Sequence, residues 1–323
     1  MSKFKSSALA LAVLGAAAAV PAQAYVMAGS MVNMKDFTIK DATGATIDRS
    51  AFGSLDFTTS ADQSVALTGY AGVNNSASSA TGSINFAPIC VGAACNPVTA
   101  DVFPKFFAPP GAGNYVAADQ YESGAPVSGL PNFPVVGANV ADGSYVALTD
   151  GTVDGSGNSN NNLNAKWTFS LNSATALTFD FLVDAYLQAA ISDDEIFPGY
   201  ATASYQMDFT ITDLSNGGVT VWTYAPDLFG DTTKTLSLNA PLPIDIESIR
   251  NTCVLNTDPA DCFKSFSSST GILSANTLYQ LSARIQTNVD ATRVQQVPEP
   301  GVLGLLGLGL AALGFTRRRR EAV

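Results

Sequence analysis

Apolar and polar side chains alternate with a period of two along the chain's long apolar stretches, and this constrains the fold more than any other feature. From Thr202 to Thr212, Tyr205, Met207, Phe209 and Ile211 alternate with Gln206, Asp208, Thr210 and Thr212. Period two puts successive side chains on opposite faces of an extended backbone, so this segment predicts a strand with one wet face. Leu177, Phe179 and Phe181 alternate with Thr178 and Asp180 in the same way. So do the residues of 166–171 and of 279–287, where Leu281, Ala283 and Ile285 oppose Gln280, Ser282 and Arg284. Asn216-Gly217-Gly218 supplies residues that tolerate positive φ between two such runs, which predicts a hairpin. Strands recur about every ten residues with Gly, Asn, Asp and Pro between them, the spacing of a sandwich. The expected fold is all-β: an antiparallel, jelly-roll-like β-sandwich with long loops.

Composition narrows the chemistry. Of 323 residues, 46% are hydrophobic and 13% charged, enough apolar content for a core and too little charge for a disordered chain. There is no histidine, which excludes Ser-His-Asp and Cys-His nucleophile systems and His-ligated zinc. The net charge of −11 argues against nucleic acid as a partner, because phosphate contacts need a basic patch.

Both ends read as addresses. Lys3 and Lys5 precede an apolar run from Ala8 to Val20 that closes on Ala22-Gln23-Ala24. A basic start, an apolar middle and a small-x-small end make a secretory signal peptide over 1–24, cleaved after Ala24, and imply an oxidising destination. At the other end, Val297-Pro298-Glu299-Pro300 precedes an uncharged run from Gly301 to Phe315, followed by Arg317, Arg318, Arg319 and Arg320. As a helix over 301–316 the run spans roughly 22 Å, a short transmembrane anchor that the arginines hold with its C-terminal end in the cytoplasm. The body, 25–296, lies between, with a candidate seam near 150–165, where Asn, Gly and Ser dominate. Without the ends, the body carries 10 basic and 25 acidic residues, a surface that repels nucleic acid and anionic lipid.

The three-part tail, 297–323, resembles a PEP-CTERM sorting signal. The resemblance implies a Gram-negative producer of exopolysaccharide, and recognition of Pro298-Glu299-Pro300 by an exosortase-type membrane protease. Transient inner-membrane anchoring would then give way to the cell surface or matrix. It covers the tail alone and leaves the body unassigned.

Within the body, Cys90 and Cys95 are five apart and Cys253 and Cys262 nine apart. An exported chain with four cysteines points to two disulfides, and local pairing would staple two loops. No cofactor is expected. Calcium is the one candidate metal, on Asp154-Gly155-Ser156-Gly157-Asn158-Ser159-Asn160 or on Asp193-Asp194-Glu195, though neither has the spacing of an EF-hand. Asp180 and Asp184 on one strand would lie about 13 Å apart, too far for a glycosidase pair. Trp222 and Tyr224, with Trp167, Phe169 and Tyr205, could stack on sugar rings, but alternating aromatics are more often core. These readings converge on a non-enzymatic, exported surface or matrix protein with a structural or adhesive role linked to biofilm or exopolysaccharide. The alternatives are a carbohydrate-binding sandwich module and, further off, a carboxylate-based glycoside hydrolase.

Overall fold

Alternating strands bury one face each, and here they do so against one another in two antiparallel sheets. The computed structural model describes residues 25–80, 83–93, 95, 113–130, 136–149, 155–192, 199–230, 234–239, 246–251 and 263–293. In chain order the strands are β1 (Val26–Lys40), β2 (Phe52–Leu67), β3 (Val73–Ser79), β4 (Ile84–Asn85), β5 (Ile89–Gly92), β6 (Tyr115–Ser123) and β7 (Ala138–Leu148). They continue with β8 (Gly155–Leu171), β9 (Thr178–Ile191), β10 (Gly199–Asp213), β11 (Val219–Tyr224), β12 (Thr235–Asn239), β13 (Ile246–Asn251), β14 (Lys264–Ser269) and β15 (Leu278–Arg293). The first sheet runs β13-β9-β1-β7-β6-β4, with β14 also on β9 and β5 on β6. The second runs β11-β10-β15-β8-β2-β3, with β12 on β10. Both halves of the chain contribute strands to both sheets. The signal peptide and the anchor helix over 301–316 lie outside the described residues. Among those residues no helix is long and apolar enough to cross a membrane.

One expectation is corrected. The described part of the candidate seam near 150–165 is strand. Residues 155–164 belong to β8, paired with β15 from Gly155 on one side and with β2 from Gly157 on the other. Composition misleads here because asparagine is depleted in strands on average, yet a strand clamped by two neighbours does not depend on its own propensity.

The core lies between the sheets. One end is aromatic: Phe37, Trp167, Phe179, Phe181 and Phe209 pack with ring centroids 5–6 Å apart. Phe37 gets there through a bulge. Between Met34 and Phe37 the register of β1 against β7 gains one residue, and Asp36 takes φ 55°. Before the bulge the even residues of β1 face inwards; after it Phe37 and Ile39 do, a switch that one inserted residue produces. The other end is aliphatic, where Val65, Leu67, Val116, Val146 and Leu148 close over Gly157. A Cβ at Gly157 would sit 2.7 Å from Val116 and 2.8 Å from Val146, so the residue is glycine because the facing strand is that close.

Candidate functional site

The sorting residues Val297, Pro298, Glu299, Pro300 and Arg317–Arg320, the signal-cleavage residues Ala22 and Ala24, and Cys253 and Cys262 lie outside the described residues. So does Asp193-Asp194-Glu195. Cys90 and Cys95 form a disulfide across a Cα–Cα distance of 5.7 Å. In the other calcium candidate Asp154 lies outside the described residues, and residues 155–160 are a strand rather than a loop.

The aromatic candidates are core. Trp167, Phe169 and Tyr205 are buried. Trp222 and Tyr224, on the edge strand β11, are half-buried and turn inwards: Trp222 stacks on Phe179 at 4.6 Å and on Tyr224 at 6.1 Å. They offer no flat face for a sugar. Asp180 is taken as well, 2.6 Å from the Lys40 ammonium and accepting from Ser267.

What sequence reasoning missed is the outer face of the second sheet. Even-numbered residues of β8 point out of the sandwich, so Asn158, Asn160, Asn162 and Asn164 form a row. Register sets them opposite Asp290, Asn288, Gln286 and Arg284 of β15. Arg284 Nη2 donates to Gln286 Oε1 at 2.7 Å, and Gln286 Nε2 donates to Asn160 Oδ1 at 3.2 Å. The amide planes are thereby held in place. Beside this ladder runs a groove of about 410 Å³ lined by Ser64, Asn158, Asn160, Tyr200, Asn288 and Asp290. A second hollow of about 400 Å³ adjoins it and shares Asn158 and Asp290. Tyr200, Asn158 and Asn288 make no side-chain hydrogen bond among the described residues. Each asparagine amide can donate and accept, which suits a ligand covered in hydroxyl groups, and the half-exposed Tyr200 adds an apolar edge. The signal was in the sequence: the asparagines at 158, 160, 162 and 164 have a period of two.

The interior holds a second polar arrangement. Thr59 and Gln63 of β2, Gln120 and Glu122 of β6, Asp142 and Ser144 of β7, Ser159 and Asn161 of β8 and Thr287 of β15 are all buried. Thr287 Oγ1 donates to Asp142 Oδ1 at 2.9 Å, and Thr59 Oγ1 donates to Glu122 Oε1 at 3.2 Å. Burial pushes the Asp142 carboxyl up to about 7, against the opposing hydrogen bonds from Thr287 and Asn161 and with a small push from Asp119. Burial likewise raises Glu122 to about 8, against the bond from Thr59. An unpaired buried polar atom costs about 1–3 kcal/mol, more when charged, so these groups are an expensive feature of the core.

Residues 296–320 match the PEP-CTERM protein-sorting motif. No curated protein matches the chain. Among solved structures, the enzymatically active domain of bacteriophage CBA120 tailspike protein 4 aligns at 9% identity and TM-score 0.10, over 39% of this chain. The chain spans about a fifth of that tailspike chain, 18%. The infectious bursal disease virus Gx strain structure aligns at 10% identity and TM-score 0.09, over 93% of this chain and 92% of that one. The VP2 subviral particle of the same virus gives 11% identity and TM-score 0.09, over 93% and 88%. Overlap at this level establishes no common fold. The sorting motif remains the recognisable part of the chain: it implies export and processing by exosortase at a membrane, and the body carries no family assignment.

Proposed function

We propose that this PEP-CTERM-tailed chain is a non-enzymatic component of the surface or matrix of a Gram-negative bacterium, and that its sandwich adheres to exopolysaccharide through the outer face of the second sheet. The observation that carries this reading is the amide ladder of β8 and β15 beside the Tyr200 groove. Amides pre-set by their neighbours bind a polyol with less ordering cost than free side chains do. A strand-lined trough also suits a linear chain better than a compact ligand. The two carboxyls that burial makes much weaker acids, Glu122 and Asp142, sit between the sheets, out of reach of a glycan, which supports binding over hydrolysis.

Sedimentation of the protein with exopolysaccharide from the producing organism tests the reading. The expected result is saturable binding, lost at least about tenfold in the double variant Tyr200→Ala, Asn288→Ala. Both are surface positions with no hydrogen bonds to lose, so unfolding stability should stay within about 0.5 kcal/mol. Absence of binding by the wild type, or undiminished binding by the double variant, overturns the proposed face.

The sorting step has its own test. Changing Pro298-Glu299-Pro300 to alanines should leave a longer, membrane-held form in cell fractions. Release of that variant at the wild-type size would remove the tail from the sorting route.

A further inference from the structure

We propose that the sandwich encloses a hard divalent cation, of the calcium type, coordinated by the carboxylates of Glu122 and Asp142 and the side-chain oxygens of Gln120 and Asn161.

The placement comes from register and hydrogen bonds. Gln120 and Asp142 are direct cross-strand partners of β6 and β7, and both face inwards. Such pairs have Cβ atoms about 4.5–5.5 Å apart. Glu122 lies on the same face two residues along, about 7 Å on. Asn161 reaches over from the opposite sheet. Its Nδ2 donates to the Asp119 carbonyl at 3.0 Å and to the Gly143 carbonyl at 2.7 Å. Asp119 and Gly143 are themselves partners, and each adjoins one of the Gln120–Asp142 pair. The amide of Asn161 is thereby pinned beside those two side chains.

The second observation is what these side chains lack. Glu122 Oε2, Asp142 Oδ2, Gln120 Oε1 and Asn161 Oδ1 are buried oxygens with no hydrogen-bond partner, on residues no more than 2% exposed. Buried polar atoms in folded proteins are almost always paired, so four orphaned acceptors on neighbouring positions of the facing strands indicate a missing ligand that offers positive charge. Each carboxylate already has its other oxygen fixed by a threonine from the opposite sheet, Thr59 for Glu122 and Thr287 for Asp142. Thr287 is itself within hydrogen-bonding distance of Ser144, which accepts from Ser159. A carboxylate with one oxygen clamped and the other bare is the usual posture of an oriented metal ligand.

The chemistry selects the ion. Lys40 pairs with Asp180 and Lys234 with Asp208, so neither lysine neutralises these two carboxylates. Two buried negative charges are balanced by one divalent ion. All four donors are hard oxygens, which suit calcium and not the softer metals that seek thiolate or imidazole. Calcium takes six to eight oxygens, so water completes the shell, and Gln63 Nε2, buried without an acceptor, gives such a water a partner. Among the described residues no three Asp, Glu, Cys or His side chains converge, so the site depends on its two amides.

The test uses the full chain, purified in mild detergent, stripped with chelator and titrated with calcium chloride alone at about pH 8, where the carboxylates compete least with protons. Equilibrium dialysis should find a buried site of one ion per chain, and calcium should raise the thermal midpoint over the chelator control. Glu122→Gln and Asp142→Asn should each lose that one site while melting in chelator no lower than the wild type, because a neutral amide replaces a buried carboxyl of the same shape. Asp290→Asn, on the outer face, should keep it. Two results overturn the proposal: no calcium bound by the wild type, or undiminished stoichiometry in both folded interior variants. If either interior variant fails to fold, Thr287→Val, which unclamps Asp142 without removing a ligand, should weaken calcium binding by about tenfold or more. Unchanged affinity there overturns the proposal equally.

Discussion

In chelator, the unfolding free energy of the protein should fall as pH rises from about 4 to about 8, and the fall should be the largest feature of its pH profile. The cause is the pair of interior carboxyls. Asp142 titrates near 7 in the folded chain against an ordinary 3.8, and Glu122 near 8 against 4.5. Between those limits the folded state holds protons that the unfolded state has released, so stability is fully present below the unfolded values and is lost as pH climbs through the folded ones. Each unit of displacement corresponds to about 1.4 kcal/mol, so each carboxyl supplies an effect of about 4 kcal/mol in order of magnitude. On the acid side the sign reverses. Asp180, held low by Lys40 and Ser267, and the exposed Asp41 and Asp48, held low by bonds from Thr43 and from Ser50, favour the fold above their unfolded values and release it as pH drops. Maximum stability should therefore fall near pH 4, where the two limbs meet, below the neutral optimum of many proteins. Urea unfolding at about pH 5, 6, 7 and 8 measures the slope. Asp142→Asn should flatten the part ending near 7 and Glu122→Gln the part ending near 8. A wild-type profile that is flat or rising across this range would contradict the burial of both groups.

Phe37→Ala should cost about 3–5 kcal/mol, the upper range for a single core truncation. Phe37 is wholly buried and its ring contacts four others: Phe209 at 5.3 Å, Phe181 at 5.8 Å, Phe179 at 6.0 Å and Trp167 at 6.1 Å. Two of these belong to the first sheet and two to the second, so the cavity would open at the seam where the sheets meet. Stiff strands on both sides limit its collapse. Phe37→Leu keeps much of the volume and should cost under about half as much. The denaturant midpoint, with its slope unchanged, reads both values. A loss below about 1 kcal/mol for the alanine variant would mean that the two sheets close over the gap.

Legibility in the sequence varied with how one-sided each strand is. The segments 166–171, 202–212 and 279–287 have one wet face and one dry one, and their strands appear where alternation placed them. The Asn216-Gly217-Gly218 turn also appears, with positive φ at both glycines. β6 and β7 were not legible. Val116, Ala117, Ala118 and then Tyr145, Val146, Ala147 and Leu148 are buried on both faces, and a strand with no wet face shows no alternation. β8 failed for the opposite reason. From 156 to 162 both its faces are polar, one towards solvent and one towards the interior belt, so composition read as loop. The outer ladder and the inner belt both pass through that stretch. Neither could be found without the register that sets Asn161 beneath Gly143, or Asn160 opposite Asn288. The bulge at Asp36 was equally silent, because one extra residue changes the facing of Phe37 without changing any residue type.

The position of β15 bears on how the protein would withstand pulling. It is the strand nearest the tail, ending at Arg293 only a few residues before the sorting motif begins at 296, and it lies inside its sheet with partners on both sides. Its register with β10 runs from Gly199↔Arg293 to Asp213↔Tyr279, and with β8 from Gly155↔Arg293 to Ser170↔Leu278. Antiparallel bonds stand perpendicular to the strands. A load applied along β15 from its C-terminal end therefore meets two full ladders in shear, all sharing the force, instead of peeling one edge bond by bond. The same placement makes β15 the link between β8 and β10, which are joined in the sheet through it. Attachment point and keystone are one segment: the second sheet can resist such a load only once β15, the described strand that precedes the sorting motif, is in place.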